Sequence, residues 1–413
     1  MRWFRYWRLK LRRKVLRPLR HLDRTAEKFM TDILYGRRRS FSTRVICPIL
    51  SALSLPFRSA VYARHFLYDR RILRSQYLGC VVISVGNLTV GGTGKTPVVE
   101  LLARELSRRG RRVAILSRGY RSRGESLWRR CLRAITHGDA EQPRVVSDGK
   151  SVLLDSEMAG DEPHMLAKNL PGVAVITDKD RIKAGKFAIN RFGCNTIILD
   201  DGFQYLRLTS QFNVLLVDCT NPFGSGHLLP RGILREPPAE VRRATHIIIT
   251  KSDGSDHGEL VKILRRHAAP SVPIVVSRHR PKHLCDVHSV ATKSQSGQMA
   301  LTSLIGKRVA AFSGIAVPEG FEKFLTECGA TLVYKKRFPD HYRFQDSDVE
   351  NVFAMATARG AELVVTTEKD AVRLCPNRFY PLPTYYLRME IEIIHGRKDF
   401  QNLIGQICGD AQL

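Results

Sequence analysis

Acidic residues are scarce in this chain: 39 Asp and Glu stand against 67 Lys and Arg, for a formal net charge of +28. That excess points to an anionic partner, whether nucleic acid, a membrane surface or a phosphorylated substrate. The opening stretch MRWFRYWRLKLRRKVLRPLR has no acid and no serine. The missing serine argues against an organelle transit peptide, and the lack of a long apolar core and a small-residue cleavage site argues against a secretory signal. The nine cysteines include no Cys-x-x-Cys pair, which speaks against a zinc site or a disulfide framework and fits a reducing compartment. No uninterrupted apolar run reaches the length of about 20 residues that a spanning helix needs. Internal repeats and long low-complexity tracts are also absent.

What is present is unevenly placed. Residues 1–80 carry twenty Lys/Arg against four Asp/Glu. In the first twenty, cations alternate with Trp, Phe, Tyr and Leu, a mixture suited to anionic lipid headgroups. The same charge could also be read as a basic arm for nucleic acid. VICPILSALSLPF, Val45 to Phe57, is apolar but short, and Pro48 and Pro56 interrupt it. It predicts a short embedded or interfacial segment, continued by RSAVYARHFLYDRR, with a buried core helix or a full span as the competing readings.

At 43% hydrophobic, the rest of the chain can bury sizeable cores. From residue 79 strands and helices alternate. GCVVISVGN is a continuous β-branched run, as in a strand buried on both faces of a parallel sheet. PVVELLARELSRRG follows with apolar residues at helical spacing. RRVAILSRGY, VAVITDKD, TIILDDGF, FNVLLVDCT and THIIITKSD are further apolar runs with polar or acidic ends. Ligands of open α/β sheets gather at such carboxyl ends, which here carry Asn87, Arg118, Asp178, Asp200, Asp201, Asp218 and Lys251. The pattern predicts a doubly wound sheet with an anionic, metal-bearing ligand. After a polar stretch, KSQSGQ, the α/β pattern restarts with KRVAAFSGIA and continues to AELVVTTEKD. The expected organisation is a basic, membrane-associated helical segment over 1–78, a P-loop NTPase domain over 79–280 and a smaller α/β domain over 281–413.

Between the first strand and the first helix stands TVGGTGKTP, Thr89 to Pro97. It ends like a P-loop, yet Thr89 occupies the place of the usual first glycine. Gly91, Gly92 and Gly94 free the backbone N–H groups around Thr93 to wrap phosphate oxygens. Lys95 would neutralise those oxygens and the Thr96 hydroxyl would ligate Mg²⁺, with the helix dipole assisting. LDDG supplies two carboxylates, Asp200 and Asp201, for the metal. TKSD, Thr250 to Asp253, resembles a guanine-reading motif and opens an alternative: a P-loop GTPase of the targeting or metallochaperone type. GDEPHMLA puts Asp161 and Glu162 at a helix start, an ordinary place for acids. FPDHYRF puts His341 beside Asp340, a pairing that is ordinarily structural.

In order and spacing, these pieces resemble the tetraacyldisaccharide 4'-kinase family, the lipid A 4'-kinases. The matching stretches are LYDRRIL, VISVGNLTVGGTGKTPVVELLA, LSRGY, GDEPHMLA, DKDR, ILDDGFQ, LVDCTNPFGSGHLLPRGILREP, FSGIAVPEGF, FPDHYRF and VVTTEKDAVRL. The family's loop also lacks the first glycine. The resemblance implies ATP and Mg²⁺ as cofactors and phosphorylation of the 4'-hydroxyl of a tetraacylated disaccharide 1-phosphate. It implies a monotopic enzyme on the cytoplasmic face of a bacterial inner membrane, with an anionic membrane surface as partner and neither nucleic acid nor an obligate protein partner. It assigns nucleotide binding to Gly91–Thr96 and Arg235, and metal binding to Thr96, Asp200, Asp201 and Glu236. Asp161 would be the base, with His341 orienting it. Asn87, Glu162, Arg181 and Gln204 would lie near the lipid headgroup. Tyr205 departs from the family, where a His usually follows the Gln.

Overall fold

Apolar runs with β-branched residues, buried on both sides, build the sheet on which everything else is hung. The computed structural model describes residues 32–36, 41–119, 142–288, 297–374 and 378–409, and the cation-aromatic opening stretch lies outside them. The chain divides into two units. One comprises residues 1–74, 88–91 and 221–242, and the other comprises residues 75–87, 92–220 and 243–413.

The first unit is organised by helix α1, Phe41–Asp69, which runs unbroken through Pro48 and Pro56. The short interrupted segment expected from those prolines is thus one long helix. The hydroxyls of Ser51 and Ser54 donate to the carbonyls of Cys47 and Leu50, adding ties along the stretch where each proline removes a backbone donor. Over Arg44–Asp69 the helix is long and apolar enough to cross a membrane. Val45, Ile49, Leu53 and Phe66 are exposed on it. The loop 221–242 is fastened to it, with the Arg231 N–H donating to Ser54 Oγ at 3.2 Å. That loop also pairs with residues 88–91: the Val90 N–H reaches the Ile233 carbonyl and the Arg235 N–H reaches the Leu88 carbonyl, both at 2.7 Å.

The second unit carries a 13-stranded sheet. Its first half comprises β1 (Val81–Gly86), β2 (Val113–Ser117), β3 (Arg144–Asp148), β4 (Ala174–Thr177), β5 (Thr196–Asp200), β6 (Phe212–Asp218) and β7 (His246–Thr250). Helices α2 (Lys95–Arg108), α3 (Ser156–Ala159), α4 (Asp161–Asn169) and α5 (Arg181–Phe192) connect them. The order runs β7-β6-β1-β5-β2-β4-β3, parallel except for β3. The chain therefore switches sides at β1, where open α/β sheets place their ligands. Val98, Val99, Leu102, Ala103 and Leu106 of α2 are buried at helical spacing against this sheet.

Helix α6 (Gly258–Arg265) leads to β8, Ile274–Asp286. This 13-residue strand is parallel to β7 at one end and antiparallel to β13 (Thr384–His395) along most of its length. Beyond it lie β9 (Gln298–Met299), β10 (Arg308–Ser313), α7 (Pro318–Glu327), β11 (Thr331–Arg337), α8 (Asp346–Ala358), β12 (Leu363–Thr367) and α9 (Glu368–Ala371). Strands β10, β11, β12 and β13 pair in parallel. The last helix, α10 (Arg397–Cys408), returns to the first half: its Phe400, Leu403, Ile404 and Ile407 share a core with Leu102 and Leu106 of α2. Each such burial contributes roughly 1.5–3 kcal/mol. We retain residues 79–280 and 281–413 as a proposed division, with β8 as the strand common to both halves.

Candidate active site

Two groups of side chains form the candidate site in the second unit, and the second joins Asp161 of the first half of the sheet to residues of the second half. The first surrounds the loop after β1. Gly94 caps α2 in the left-handed region at φ +79°, a conformation that favours glycine. The Thr250 hydroxyl, at the end of β7, donates to the Thr93 carbonyl at 2.8 Å and pins the loop from below. The buried Thr93 hydroxyl has no hydrogen-bond partner among the described residues. Lys95 Nζ donates to Asn87 Oδ1 at 3.2 Å and lies 3.6 Å from Asp201 Oδ1. Gln204 Nε2 donates to the Asn87 carbonyl at 2.8 Å.

The LDDG turn is pressed against β1. A Cβ added to Gly86 would stand 2.6 Å from the Phe203 Cβ and 2.7 Å from its nitrogen, so only glycine allows this approach. Register places Asp200 beside Val85, and Asp201 follows at φ +57°. Asp200 is buried and accepts a hydrogen bond from Ser117 Oγ at 3.1 Å. Burial, with the charges of Glu162 and Asp201 added, pushes its carboxyl up to about 7 against the pull of Lys95 and the Ser117 hydroxyl. Such a carboxylate is short of positive charge. The donor set of Thr96, Asp200 and Asp201 is all oxygen and suits a hard divalent cation that keeps waters and phosphate oxygens in its shell. Among the described residues no three His, Cys, Asp or Glu side chains converge as a closed cage.

The second group centres on Asp161, the first residue of α4. Its Oδ2 accepts from Arg373 Nη2 at 2.8 Å, from Arg373 Nε at 3.0 Å and, across 180 residues of chain, from His341 Nδ1 at 3.2 Å. His341 sits at φ +60°, a strained conformation for a side-chain-bearing residue of the kind functional sites retain. Its Nε2 is 3.0 Å from Lys369 Nζ. Lys369 also lies 3.4 Å from Glu162 and 3.7 Å from Asp340. Burial would raise the Asp161 carboxyl, but hydrogen bonds from His341 and Arg373, with the Arg373 charge, outweigh it and hold it down at about 2. The Asp161 carboxylate therefore stays ionised throughout the neutral range.

The expected residues Asn87, Lys95, Thr96, Asp161, Glu162, Asp200, Asp201, Gln204 and His341 all fall in these two groups. Arg181 is buried at the start of α5, with its guanidinium 4.9 Å from the centre of the Tyr205 ring. Tyr205 braces that helix start, because its hydroxyl accepts from the Arg181 N–H and donates to Asp180 Oδ1, both at 3.2 Å. Arg235 and Glu236 belong to the first unit. There Glu236 is fully buried, ion-paired with Arg64 at 2.6 Å and hydrogen-bonded to His65 at 3.0 Å. Sequence reasoning passed over Lys369 and Arg373. Both stand in the stretch VVTTEKDAVRL just beyond β12, and the strand-end rule applied to the first half would have found them.

A family profile described as tetraacyldisaccharide-1-P 4'-kinase matches residues 46–408. A tetraacyldisaccharide 4'-kinase of Syntrophus aciditrophicus (strain SB) is 39% identical over 371 residues, which cover 88% of this chain and 93% of that protein. One from Anaeromyxobacter dehalogenans (strain 2CP-C) is 44% identical over 331 residues, 80% of this chain and 81% of the relative. Among solved structures, LpxK from Aquifex aeolicus, crystallised in complex with ATP, aligns with a TM-score of 0.67 at 28% identity. That alignment covers 88% of this chain and 99% of the other.

Proposed function

The chain belongs to the tetraacyldisaccharide-1-P 4'-kinase family and is a lipid kinase, and from that premise we propose that it moves the γ-phosphate of ATP to the 4'-hydroxyl of a tetraacylated glucosamine disaccharide 1-phosphate. The product is the bis-phosphorylated lipid A precursor. One observation carries the reading: the loop lysine and the Asp161 carboxylate each stand in a cluster of charged and polar groups. Lys95 lies 3.6 Å from Asp201, while Lys369 lies 3.4 Å from Glu162 and 3.0 Å from His341, which meets Asp161. Phosphoryl transfer calls for this combination of positioning and charge neutralisation, with little covalent work for the protein.

In this reading Gly91, Gly92, Thr93, Gly94, Lys95 and Thr96 cradle the phosphates, and the unpaired Thr93 hydroxyl gains a partner there. Thr96, Asp200 and Asp201 hold Mg²⁺, which when bound supplies the positive charge that Asp200 lacks. Asp161 accepts the proton of the sugar hydroxyl as the new O–P bond forms, and His341 keeps it aimed. General-base help of this kind contributes about 10²–10⁴-fold. Asn87, Glu162, Arg181 and Gln204 face the headgroup. Arg235 and Glu236 serve nucleotide and metal, with α1 fixing their loop through Arg64 and His65. The apolar face of α1 and the basic opening stretch bring the enzyme to the anionic cytoplasmic face of the inner membrane, where the acyl chains remain. Neither nucleic acid nor an obligate protein partner enters.

The GTPase alternative loses support at TKSD. Lys251 is ion-paired with Asp218 at 2.6 Å, and the Asp253 carboxylate accepts from the Ser255 N–H at 3.0 Å. The deciding experiment measures labelled γ-phosphate transfer to the tetraacyl disaccharide 1-phosphate in detergent micelles, with ATP or GTP and with Asp161→Ala. Labelled lipid from ATP, reduced at least about a hundredfold in the variant, supports the proposal. Phosphate released from GTP without labelled lipid would replace it with the GTPase reading.

A further inference from the structure

We propose that Arg373 is a positioning residue for phosphoryl transfer, one that occupies Oδ2 of Asp161 and leaves Oδ1 as the acceptor for the sugar hydroxyl. The inference rests on the reading of Asp161 as the base. Arg373 brings two donors, Nε and Nη2, to the same oxygen, at 3.0 and 2.8 Å, and His341 Nδ1 brings a third at 3.2 Å. Oδ1 accepts no hydrogen bond among the described residues. A carboxylate held by one oxygen alone has a fixed plane, so the other oxygen has a fixed direction. Proton transfer needs that direction, because the acceptor must lie within hydrogen-bond reach of the hydroxyl.

The clamp is itself clamped. The third guanidinium nitrogen, Nη1, donates to Asp370 Oδ1 at 2.9 Å, and it faces the carbonyls of Gly314 and Tyr342, each at 3.4 Å. Asp370 is fully buried and takes the Gly314 N–H at 2.9 Å and the Thr367 hydroxyl at 2.6 Å on its other oxygen. The Arg373 side chain is 4% exposed. A planar, five-donor fork fits this arrangement and a lysine does not. The arrangement has a cost in basicity, since it keeps the Asp161 carboxyl at about 2. In a loose transition state the hydroxyl surrenders its proton late, so aim matters more than proton affinity. Arg373 thereby differs from a cation that merely balances a buried charge.

The test is a double-mutant cycle on the full chain in micelles, with the tetraacyl disaccharide 1-phosphate and ATP-Mg. Arg373→Lys keeps a cation beside Asp370 but cannot hold Oδ2 with two bonds. It should lower kcat about tenfold to hundredfold while leaving KM for the lipid within about threefold. Asp161→Asn should lower kcat at least about a hundredfold. With both changes together kcat should stay within about threefold of Asp161→Asn, because residues that act through one another are not additive. An equal fall in both backgrounds, or a loss confined to thermal stability, would overturn the role of Arg373. A fully active Asp161→Asn would instead overturn the base assignment. Should Arg373→Lys fail to fold, the same cycle is run with Arg373→Gln joined to Asp370→Asn, which removes both buried charges together.

Discussion

Lys369 Nζ lies 3.0 Å from His341 Nε2, on the far side of the ring from Asp161. An ammonium can only donate, so Nε2 accepts and the ring proton sits on Nδ1, where it points at the Asp161 carboxylate. Lys369 thus selects the tautomer that makes His341 a donor to the base. Lys369→Met frees the ring to place its proton on either nitrogen. We expect kcat to fall about tenfold to hundredfold with lipid KM little changed. Steady-state kinetics at varied lipid concentration decide it, and a rise in KM with unchanged kcat would make Lys369 a substrate contact instead.

Stability should depend on another, largely buried arginine. Arg388 on β13 pairs with Glu100 on α2 and with Glu368 at the start of α9. Asn169, the last residue of α4, donates to both carboxylates, at 3.2 and 2.7 Å. The phosphate-loop helix, the helix that starts at Asp161 and the turn leading to Arg373 therefore meet at one cation. Arg388→Met leaves two acids in a poorly hydrated place and should cost about 3–5 kcal/mol. Adding Glu100→Gln and Glu368→Gln should restore most of it. Breaking the exposed pair Arg278–Glu392 should cost no more than about 1 kcal/mol. Urea midpoints of the four proteins compare these outcomes directly.

The first half of the site was readable because each of its parts is local. VVISVG, TIILD and HIIIT are apolar enough to be buried strands, and their carboxyl ends hold the loop, Asp200 and Thr250. The Asp161–Arg373 pairing was not readable: one residue starts a helix and the other follows a strand end, but nothing local joins two positions 212 residues apart. Strand β8 hid for another reason. Its segment SRHRPKHLCD pairs as a ribbon with one exposed side, so charges and Pro281 replace the apolar alternation that marks a strand. The return of α10 to the first core was equally silent, because an amphipathic helix declares that it has a partner without saying which. Helix α1 misled in the opposite direction: two prolines lowered the local propensity, and the helix persists through both.

Gly94 and Gly92 should respond differently to alanine. A Cβ on Gly94 would meet His279 Nε2 at 2.9 Å, and the backbone there is left-handed. A Cβ on Gly92 would meet nothing within 4 Å. Gly94→Ala should therefore cost about 1–2 kcal/mol from the backbone alone, whereas Gly92→Ala should leave the unliganded protein's melting temperature within a degree or two. Thermal melts without nucleotide test the contrast, and equal losses would mean that the loop is not held in this conformation.

Acid sensitivity should trace to His246. Its ring is buried on β7, with Phe212 at a centroid distance of 6.3 Å and Thr245 Oγ1 3.1 Å from Nδ1. Burial drives its pKa down to about 4, against a small upward pull from Asp399. The unfolded chain binds this proton near the ordinary value of about 6.5, so between those values the unfolded state holds more protons than the folded one. Stability from this group is complete above about pH 6.5 and is lost as pH falls toward 4. The full loss is about 2 kcal/mol once partial solvent screening is allowed for. His279, lowered to about 4 by its own burial, adds a term of the same sign, whereas the window of Asp161 lies lower, between its ordinary value of 3.8 and about 2. His246→Phe keeps the apolar contact and removes the titration. Its urea midpoint should fall less steeply than that of the parent between pH 7 and pH 5, and parallel curves would place the acid sensitivity elsewhere.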